Sequence, residues 1–364
     1  MMNDKAAALA EGARIALASM PELAFEEEKT KAYIKAFLAE HTTLEVHDEG
    51  AFLYAAHREG SNTAIAVRAD FDAVPTETGA KHLCGHNGHT AALLALALLL
   101  EGNKVGGDVI LLFQPAEETG AGAPACAELF RKERIDSIIG AHNIPGEPLG
   151  KLILRHGVFA CASCGLEIAM TGSPAHAAYP ENGVDPTKPL AELALSIPDR
   201  AAELTREYGC MTLATVVGMR TGEKAFGVAA SEGRLWVTLR SEDPGAFAKL
   251  VDFAKSDARA RASDARAKVA FAEYDPFPAT VNDEGLVNRA EAVCLSEKLP
   301  YKYASVPFRW SEDFGHYGAY APSLFFGIGS GECTPPLHTA SYCYPEGLAP
   351  IAARIFLKLV RGLR

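Results

Sequence analysis

The sequence has no hydrophobic run of the length that crosses a membrane. Its most apolar stretch, Ala91–Leu100, is about half as long as a bilayer span requires and is typical of a buried helix. The first residues, Met1–Arg14, lack the basic start and apolar centre of a secretion signal. We therefore expect no membrane association, and we predict a cytoplasmic location.

Positive charge is also scarce. The chain has 35 Lys and Arg residues against 46 Asp and Glu residues, which gives a formal net charge of −11. This balance argues against nucleic acid as the main partner, although a few local cations can still bind an anionic substrate. With 364 residues, of which 48% are hydrophobic, the chain is long enough to form two domains.

Paired cysteine motifs are nearly absent, although the chain has eight cysteines. Cys161 and Cys164 form a CxxC pair, but no second CxxC completes a zinc knuckle. We interpret this pair as two small apolar residues on a strand. In a reducing compartment, the cysteines are expected to fill the core or bind metal rather than form disulfides.

The pattern of apolar residues predicts an α/β fold with an insertion. Up to residue 158, helical stretches alternate with apolar strands such as Asp108–Phe113, which predicts a mostly parallel sheet covered by helices on both faces. From residue 159 to 275 the strands alternate apolar and polar residues, which predicts an inserted α+β domain. The α/β pattern returns over residues 276–364. We therefore predict a catalytic domain over 1–158 and 276–364, interrupted by an inserted domain over 159–275.

Four segments carry metal-binding types of side chain at the ends of predicted strands. In order they are RADFDAVP (68–75), LCGHNGH (83–89), QPAEETGAGAP (114–124) and GAHN (140–143). Because ligands of open α/β sheets bind at the carboxyl ends of strands, these side chains are expected to converge. Thiolate, imidazole and carboxylate are ligands for zinc or a related divalent ion. In a pair of glutamates, one can bind metal while the other transfers protons. A lone CxH or EE is weak evidence, but the ordered series predicts a metal site.

The same segments give the chain its resemblance to a known family. The chain resembles the binuclear-metal amidohydrolases and peptidases that include aminoacylases, hippurate hydrolase and indole-acetyl-amino-acid hydrolases, in the branch with a cysteine in the metal site. That family's RADMDALP, ACGHDxH, FQPAEE and GxHxxP correspond to RADFDAVP, LCGHNGH, FQPAEE and GAHNIP here. GSPAHAAYPENGVDP, SEDF and the late PLH also match, so the resemblance runs along almost the whole chain.

The resemblance implies a role for each matching residue. It implies that two divalent ions, zinc or manganese with cobalt or nickel as alternatives, are held by Cys84, His86, Glu118, His142 and His338. It implies that Glu117 is the general base and acid, and that Asp72 orients a ligating histidine. It further implies that the inserted, ferredoxin-like domain is a lid and homodimer contact, from which His176 reaches the partner's site to polarise the substrate carbonyl.

Arg240 is a separate candidate, drawn from the sequence itself. It closes the predicted strand LWVTLR and has the guanidinium fork that grips a substrate carboxylate. The alternative interpretation is a surface charge, since an arginine at the end of a strand is often exposed.

The implied function is metal-dependent hydrolysis of the amide bond of an N-acyl amino acid or a related small substrate. Three departures from the family pattern put the substrate in question: Asn87 replaces an Asp, Gly227 replaces an Asn, and Glu181 replaces a His. Two alternatives therefore stay open. One is a dipeptidase or aryl-glutamate hydrolase of the same family, and the other is a dimer that keeps the fold but only binds a ligand.

Overall fold

A computed structural model describes residues 4–364 of the chain. The helices are α1 (Asp4–Ala18), α2 (Glu28–His41), α3 (His86–Leu100), α4 (Gly122–Ala125), α5 (Leu129–Lys132), α6 (Thr187–Tyr208), α7 (Pro244–Asp264), α8 (Glu284–Ser296) and α9 (Leu348–Gly362). The strands are β1 (Glu45–Asp48), β2 (Leu53–His57), β3 (Ala64–Asp70), β4 (Val74–Thr76), β5 (Gly79–Lys81), β6 (Asp108–Gln114), β7 (Ile135–Ile144), β8 (Leu152–Leu154), β9 (Gly157–Ala160), β10 (Ala162–Thr171), β11 (Thr212–Thr221), β12 (Glu232–Ser241), β13 (Lys268–Phe277), β14 (Thr280–Asn282), β15 (Tyr301–Tyr303) and β16 (Ser323–Gly329).

The chain forms two compact units. The first comprises Met1–Phe159, Thr280–Pro307 and Glu312–Arg364, and the second comprises Ala160–Ala279 together with Phe308–Ser311. The short segment Phe308–Ser311 lies in the second unit, whereas the sequence-based division assigns it to the catalytic domain. The predicted roles of the two domains remain predictions.

An eight-stranded sheet forms the centre of the first unit, in the order β1-β2-β6-β3-β7-β16-β8-β15. The neighbours β6, β3, β7 and β16 run parallel, while β2 pairs antiparallel with both β1 and β6. Every residue of β3 and β6 is buried, as expected for parallel strands covered on both faces. The predicted α/β fold with a mostly parallel sheet flanked by helices is confirmed.

Helix α3 lies in the core of this unit. After its first turn the sequence is apolar on every side, and 13 of the 15 residues are buried, which is typical of a helix that is enclosed rather than half-exposed. It packs against α1, α9 and the sheet. Because α3 begins at His86, two residues after Cys84, this packing restricts the positions of both side chains.

The second unit has its own hydrophobic core. Its elements follow the order β10-α6-β11-β12-α7-β13, and the four strands form an antiparallel sheet in the order β11-β12-β10-β13. Alternate residues of β10, among them Leu166 and Ile168, pack with Leu193 of α6 and Leu250 of α7. This is the inserted α+β domain that the alternating strands predict.

No helix among residues 4–364 is both long and apolar enough to span a membrane.

Candidate metal centre

The loops that carry most of the predicted site residues follow the parallel strands of the first unit. Asp70 ends β3 and Asp72 follows it, Glu117 and Glu118 lie in a short 3-10 turn after β6, and His142 lies near the end of β7. Carboxyl ends of parallel strands meet at one edge of the sheet, so these loops are neighbours. Cys84 and His86 join them through the start of α3. The structure brings all five predicted metal ligands to this edge.

The five side chains form overlapping groups rather than separate pairs. Three sets each have their ligand atoms within 4.8 Å of one another: Cys84, His86 and His142; Cys84, Glu118 and His338; and His86, Glu117 and Glu118. The sets share members, so the donors surround one small volume.

Cys84 and His142 face each other. The Sγ atom of Cys84 is 3.3 Å from Nε2 of His142, and Nδ1 of His142 is 2.9 Å from the carbonyl oxygen of Asn143. A carbonyl only accepts hydrogen bonds, so Nδ1 carries the proton and Nε2 turns a lone pair toward the thiol. Burial lowers the pKa of His142 well below its usual range, which keeps the ring neutral as a metal ligand requires.

Asp72 orients His86. Nδ1 of His86 lies 3.0 Å from the Asp72 carboxylate and 3.1 Å from the Asp72 carbonyl oxygen. The other carboxylate oxygen of Asp72 accepts from the backbone N–H of Glu118 at 3.0 Å. One aspartate thus contacts both the ring of His86 and the backbone of Glu118; the orienting role that the resemblance implies for Asp72 stays a prediction.

Nε2 of His86 points at carboxylates. It lies 3.7 Å from Asp70 and 3.8 Å from both Glu117 and Glu118. Burial lowers the pKa of His86, but the carboxylates of Asp70 and Asp72 outweigh this effect and raise the pKa to about 10. The centre of the cluster therefore favours a positive charge.

His338 completes the group from a loop after β16. Its Nε2 is 3.6 Å from Oε1 of Glu118, and its backbone N–H donates to the carbonyl of Leu83 at 2.8 Å. Its φ is +60°, a backbone conformation that non-glycine residues seldom adopt and that clusters at functional sites. The contact with Leu83 ties this distant loop to the segment that carries Cys84.

The residues fit a divalent metal. Nε2 of His86 and Oε1 of Glu118 are buried, and neither has a hydrogen-bond partner among residues 4–364. Buried polar atoms are nearly always paired, so two unpartnered atoms that are 3.8 Å apart are well placed to share a cation as ligands. A thiol, imidazoles and carboxylates are the donor set of zinc and related ions.

Glu117 is held beside these ligands. One carboxylate oxygen accepts from the backbone N–H of Asp313 at 3.4 Å, and the other lies 3.8 Å from Nε2 of His86. Burial, followed by the charges of Glu312 and Glu118, raises the pKa of Glu117 well above its usual range. A carboxylate with a raised pKa is a stronger proton acceptor.

A buried ionic network that sequence reasoning did not assign lies behind Glu117. The guanidinium of Arg68 lies 2.7 Å from both Asp70 and Asp313 and 2.8 Å from Glu312. The motifs RADFDAVP and SEDF contain all four residues, but neither motif indicates that Arg68 pairs with Glu312 and Asp313. Their pairing joins positions more than 240 residues apart.

His89 is engaged by protein groups. Its Nδ1 lies 2.6 Å from Asp70, and its Nε2 lies 2.5 Å from Oδ1 of Asn143. These contacts hold the ring of His89 between Asp70 and Asn143, beside the predicted ligands His86 and His142. Asn87, which replaces the family's Asp, donates to the carbonyl of Arg14 at 3.3 Å.

Two predicted site residues lie in the second unit. The backbone N–H of Ala178 donates to Nδ1 of His176 at 3.0 Å, so in the neutral ring Nε2 carries the proton and is a donor. The guanidinium of Arg240 donates to Ser311 Oγ at 2.7 Å and to the carbonyl of Arg309. No carboxylate among residues 4–364 forms an ion pair with Arg240.

The other two departures from the family pattern also lie in this unit. The carbonyl of Gly227 accepts from the N–H of Ala177 at 2.9 Å, which joins its loop to the segment beside His176. Glu181 lies in a 3-10 turn a few residues further along.

An α/β sheet with a cluster of metal-binding types of side chain at its carboxyl edge is typical of metal-dependent hydrolases. Residues 66–362 match Peptidase family M20/M25/M40, and the chain belongs to this family. It is a hydrolase acting on amide bonds, as the sequence predicts.

Similar proteins include an N-acetyl-L-cysteine deacetylase of Bacillus subtilis (strain 168), which is 32% identical over 88% of this chain and 80% of its own length. The IAA-amino acid hydrolase ILR1-like 5 of Arabidopsis thaliana is 30% identical over 96% of this chain and 85% of its own. Among solved structures, a dinuclear metal binding peptidase of the M20 family from Bacillus subtilis has a TM-score of 0.82 at 23% identity, covering 99% of this chain and 98% of that one. These matches confirm the family resemblance and the fold.

Proposed function

We propose that this hydrolase cleaves the amide bond of N-acyl amino acids with two divalent metal ions. The observation that carries the proposal is the cluster of Cys84, His86, Glu118, His142 and His338, with two unpartnered ligand atoms at its centre and a buried glutamate beside them. Those five residues would hold the ions, zinc or manganese, with cobalt and nickel as alternatives. When bound, the ions lower the pKa of water and polarise the substrate carbonyl.

In this proposal Glu117 transfers the proton. Its carboxylate lies next to the metal ligands, and the N–H of Asp313 holds one of its oxygens. Glu117 takes a proton from the attacking water and then delivers it to the departing amine, so that it acts first as base and then as acid.

His176 would stabilise the charge that develops on the substrate oxygen. Because Ala178 donates to Nδ1, the Nε2–H of the neutral ring is the group available for donation to an oxyanion. We propose that the second unit is a lid and the contact of a homodimer, and that His176 acts in the partner's site.

Arg240 would bind the substrate carboxylate. Its guanidinium is half-buried and has only neutral partners among the described residues, Ser311 and the carbonyl of Arg309. A guanidinium without a protein carboxylate retains its capacity to bind an anion in a bidentate fashion.

The choice of substrate draws on the relatives. Two proteins at 30% identity or more are named for N-acetyl-L-cysteine and for IAA–amino acid compounds, both amino acids with an acyl group on nitrogen. The eight cysteines are all unpaired, which is consistent with a reducing compartment, and we propose the cytoplasm.

The test is a panel of N-acyl amino acids, dipeptides and aryl-glutamates, with zinc, manganese, cobalt and nickel supplied in turn. We expect about two ions per chain and the highest kcat/KM on N-acyl amino acids. Glu117→Gln should keep the metal and lose turnover. Preference for dipeptides or aryl-glutamates would overturn the substrate assignment. If the protein hydrolyses no compound of the panel, the alternative that it only binds a ligand is favoured.

A further inference from the structure

The segment Pro21–Glu28, which joins α1 to α2, contacts two loops of the metal centre. The carbonyl of Glu22 accepts from the N–H of Ala73, next to Asp72, at 2.9 Å. The carboxylate of Glu27 accepts from the N–H of Ala116, next to Glu117, at 2.9 Å. No residue of this segment belongs to the cluster of predicted ligands. The segment nevertheless holds the backbone next to Asp72 and next to Glu117.

Ala116 has an unusual backbone. Its φ is +52° and its ψ is +36°, the left-handed region that alanine seldom adopts, and its side chain is fully buried. Its carbonyl accepts from the N–H of Gly122 at 3.1 Å and from the hydroxyl of Thr119 at 3.2 Å. The turn at Ala116 sets the direction in which the chain leaves β6, and therefore the direction of Glu117.

Burial of the Glu27 carboxyl group costs free energy. Its side chain is 2% exposed, and burial raises the pKa of its carboxyl to about 7. A buried carboxyl that merely filled space would be replaced by an apolar side chain without loss. Its acceptor oxygen is what the N–H of Ala116 requires, because a buried N–H without a partner destabilises the conformation that buries it.

We propose that Glu27 is a positioning residue that holds Ala116 in the left-handed conformation and thereby directs the carboxylate of Glu117. The inference rests on the proposed role of Glu117 as the base. Glu118 has a separate support, because Asp72 accepts from its N–H at 3.0 Å. Loss of Glu27 therefore displaces the base while leaving this metal ligand held.

The first test removes the acceptor. Glu27→Ala should lower kcat by about 10- to 100-fold, the usual effect of a misplaced catalytic group, with little change in KM and with the metal content of the wild type. Glu27→Gln keeps an acceptor oxygen for Ala116 and should retain kcat within about threefold, since a neutral hydrogen bond replaces a charged one.

The second test restores the backbone without the carboxylate. Glycine adopts a φ of +52° without strain, so adding Ala116→Gly to Glu27→Ala should recover about tenfold of the lost kcat. A residue that only stabilised the fold would not show this rescue.

Glu22→Ala is the matched control. The Glu22 side chain accepts from the N–H groups of Lys29 and Thr30 at the start of α2, at 3.1 and 2.9 Å, whereas the N–H of Ala116 donates to Glu27. This variant should lower the unfolding temperature and leave kcat within about twofold of the wild type.

The outcomes separate the two proposals. If Glu117→Gln retains turnover, the proposed base is wrong whatever Glu27 does. If Glu117→Gln is inactive but Glu27→Ala has the kcat of the wild type, or if Ala116→Gly rescues nothing, the positioning role is wrong and the base stands.

Discussion

At the scale of single residues, the buried positive charge of Arg68 stabilises several carboxylates that are buried close together. Arg68 is 2% exposed, and its guanidinium contacts Asp70, Glu312 and Asp313 as well as the amide oxygen of Gln114. Burial lowers the pKa of Arg68, but Glu312 and the other carboxylates outweigh it, and the pKa is well above its usual range. The network joins the end of β3 to the segment that contacts Glu117.

We expect Arg68→Leu to be severely destabilising. It would leave three buried carboxylates without their cation, and the loss of one partner from a buried ionic group costs about 3–5 kcal/mol of unfolding free energy. Urea unfolding of the metal-free protein measures this, because metal binding then contributes nothing.

Arg131→Leu is the control for that experiment. Its ion pair with Glu128 at 3.1 Å is on the surface, with the arginine side chain 81% exposed. Exposed pairs contribute about 0–1 kcal/mol, so this variant should be close to the wild type. Equal losses in the two variants would show that the buried network contributes no special stability.

The residues of the site differ in how far the sequence could predict them. The convergence of the side chains that follow parallel strands, such as Asp72 and Glu118, was predictable because parallel strands bring their carboxyl ends together. The partners of Arg68 were not, because hydrogen bonds between positions far apart in sequence leave no periodic signal. His176 and Arg240 stay predictions, supported by local geometry in the second unit.

At the scale of elements, α3 shows why helix boundaries are hard to predict. The apolar run Ala91–Leu100 is typical of a buried helix, whereas the helix itself begins five residues earlier, at His86. Histidine, asparagine and glycine in its first turn are poor helix formers. Gly85, with a φ of +102°, lets the chain turn into the helix immediately after Cys84.

Two glycines in helices should respond oppositely to alanine. A Cβ at Gly88, in the first turn of α3, would lie 2.3 Å from ring atoms of the buried Tyr344. We expect Gly88→Ala to cost about 1–3 kcal/mol of unfolding free energy, because the core has no room to adjust. Displacement of α3 should also lower the metal content, which can be measured on the purified protein.

Gly12, in α1, is the matched position. A Cβ there would meet no heavy atom within 4 Å outside its chain neighbours and the backbone of its own helix, so Gly12→Ala should gain about 0.5–1 kcal/mol from helix propensity alone. If Gly88→Ala is also stabilising and keeps its metal, the contact with Tyr344 does not constrain the centre.

At the scale of the whole molecule, the order of strand types predicted the fold better than any single element did. Continuous apolar strands such as β6 indicate a sheet that is buried on both faces, and alternating strands such as β12 indicate one that is half-exposed. The change between the two patterns marks the insertion. The four residues Phe308–Ser311 were beyond this reasoning, because so short a segment has no period to detect.

The proposed dimer gives the whole molecule its own prediction. We take two inactive variants, Glu117→Gln and His176→Ala, and mix them in equal amounts under conditions in which subunits exchange, so that half of the dimers are mixed. If each site combines Glu117 of one subunit with His176 of the other, each mixed dimer has one intact site. The mixture should therefore regain about a quarter of the wild-type activity, as expected for a two-fold symmetric assembly.

If His176 serves the site of its own chain, neither site of a mixed dimer is intact, and the mixture stays inactive. Refolding the two variants together provides the exchange control, because it guarantees mixed dimers, and continued inactivity there would exclude a shared site.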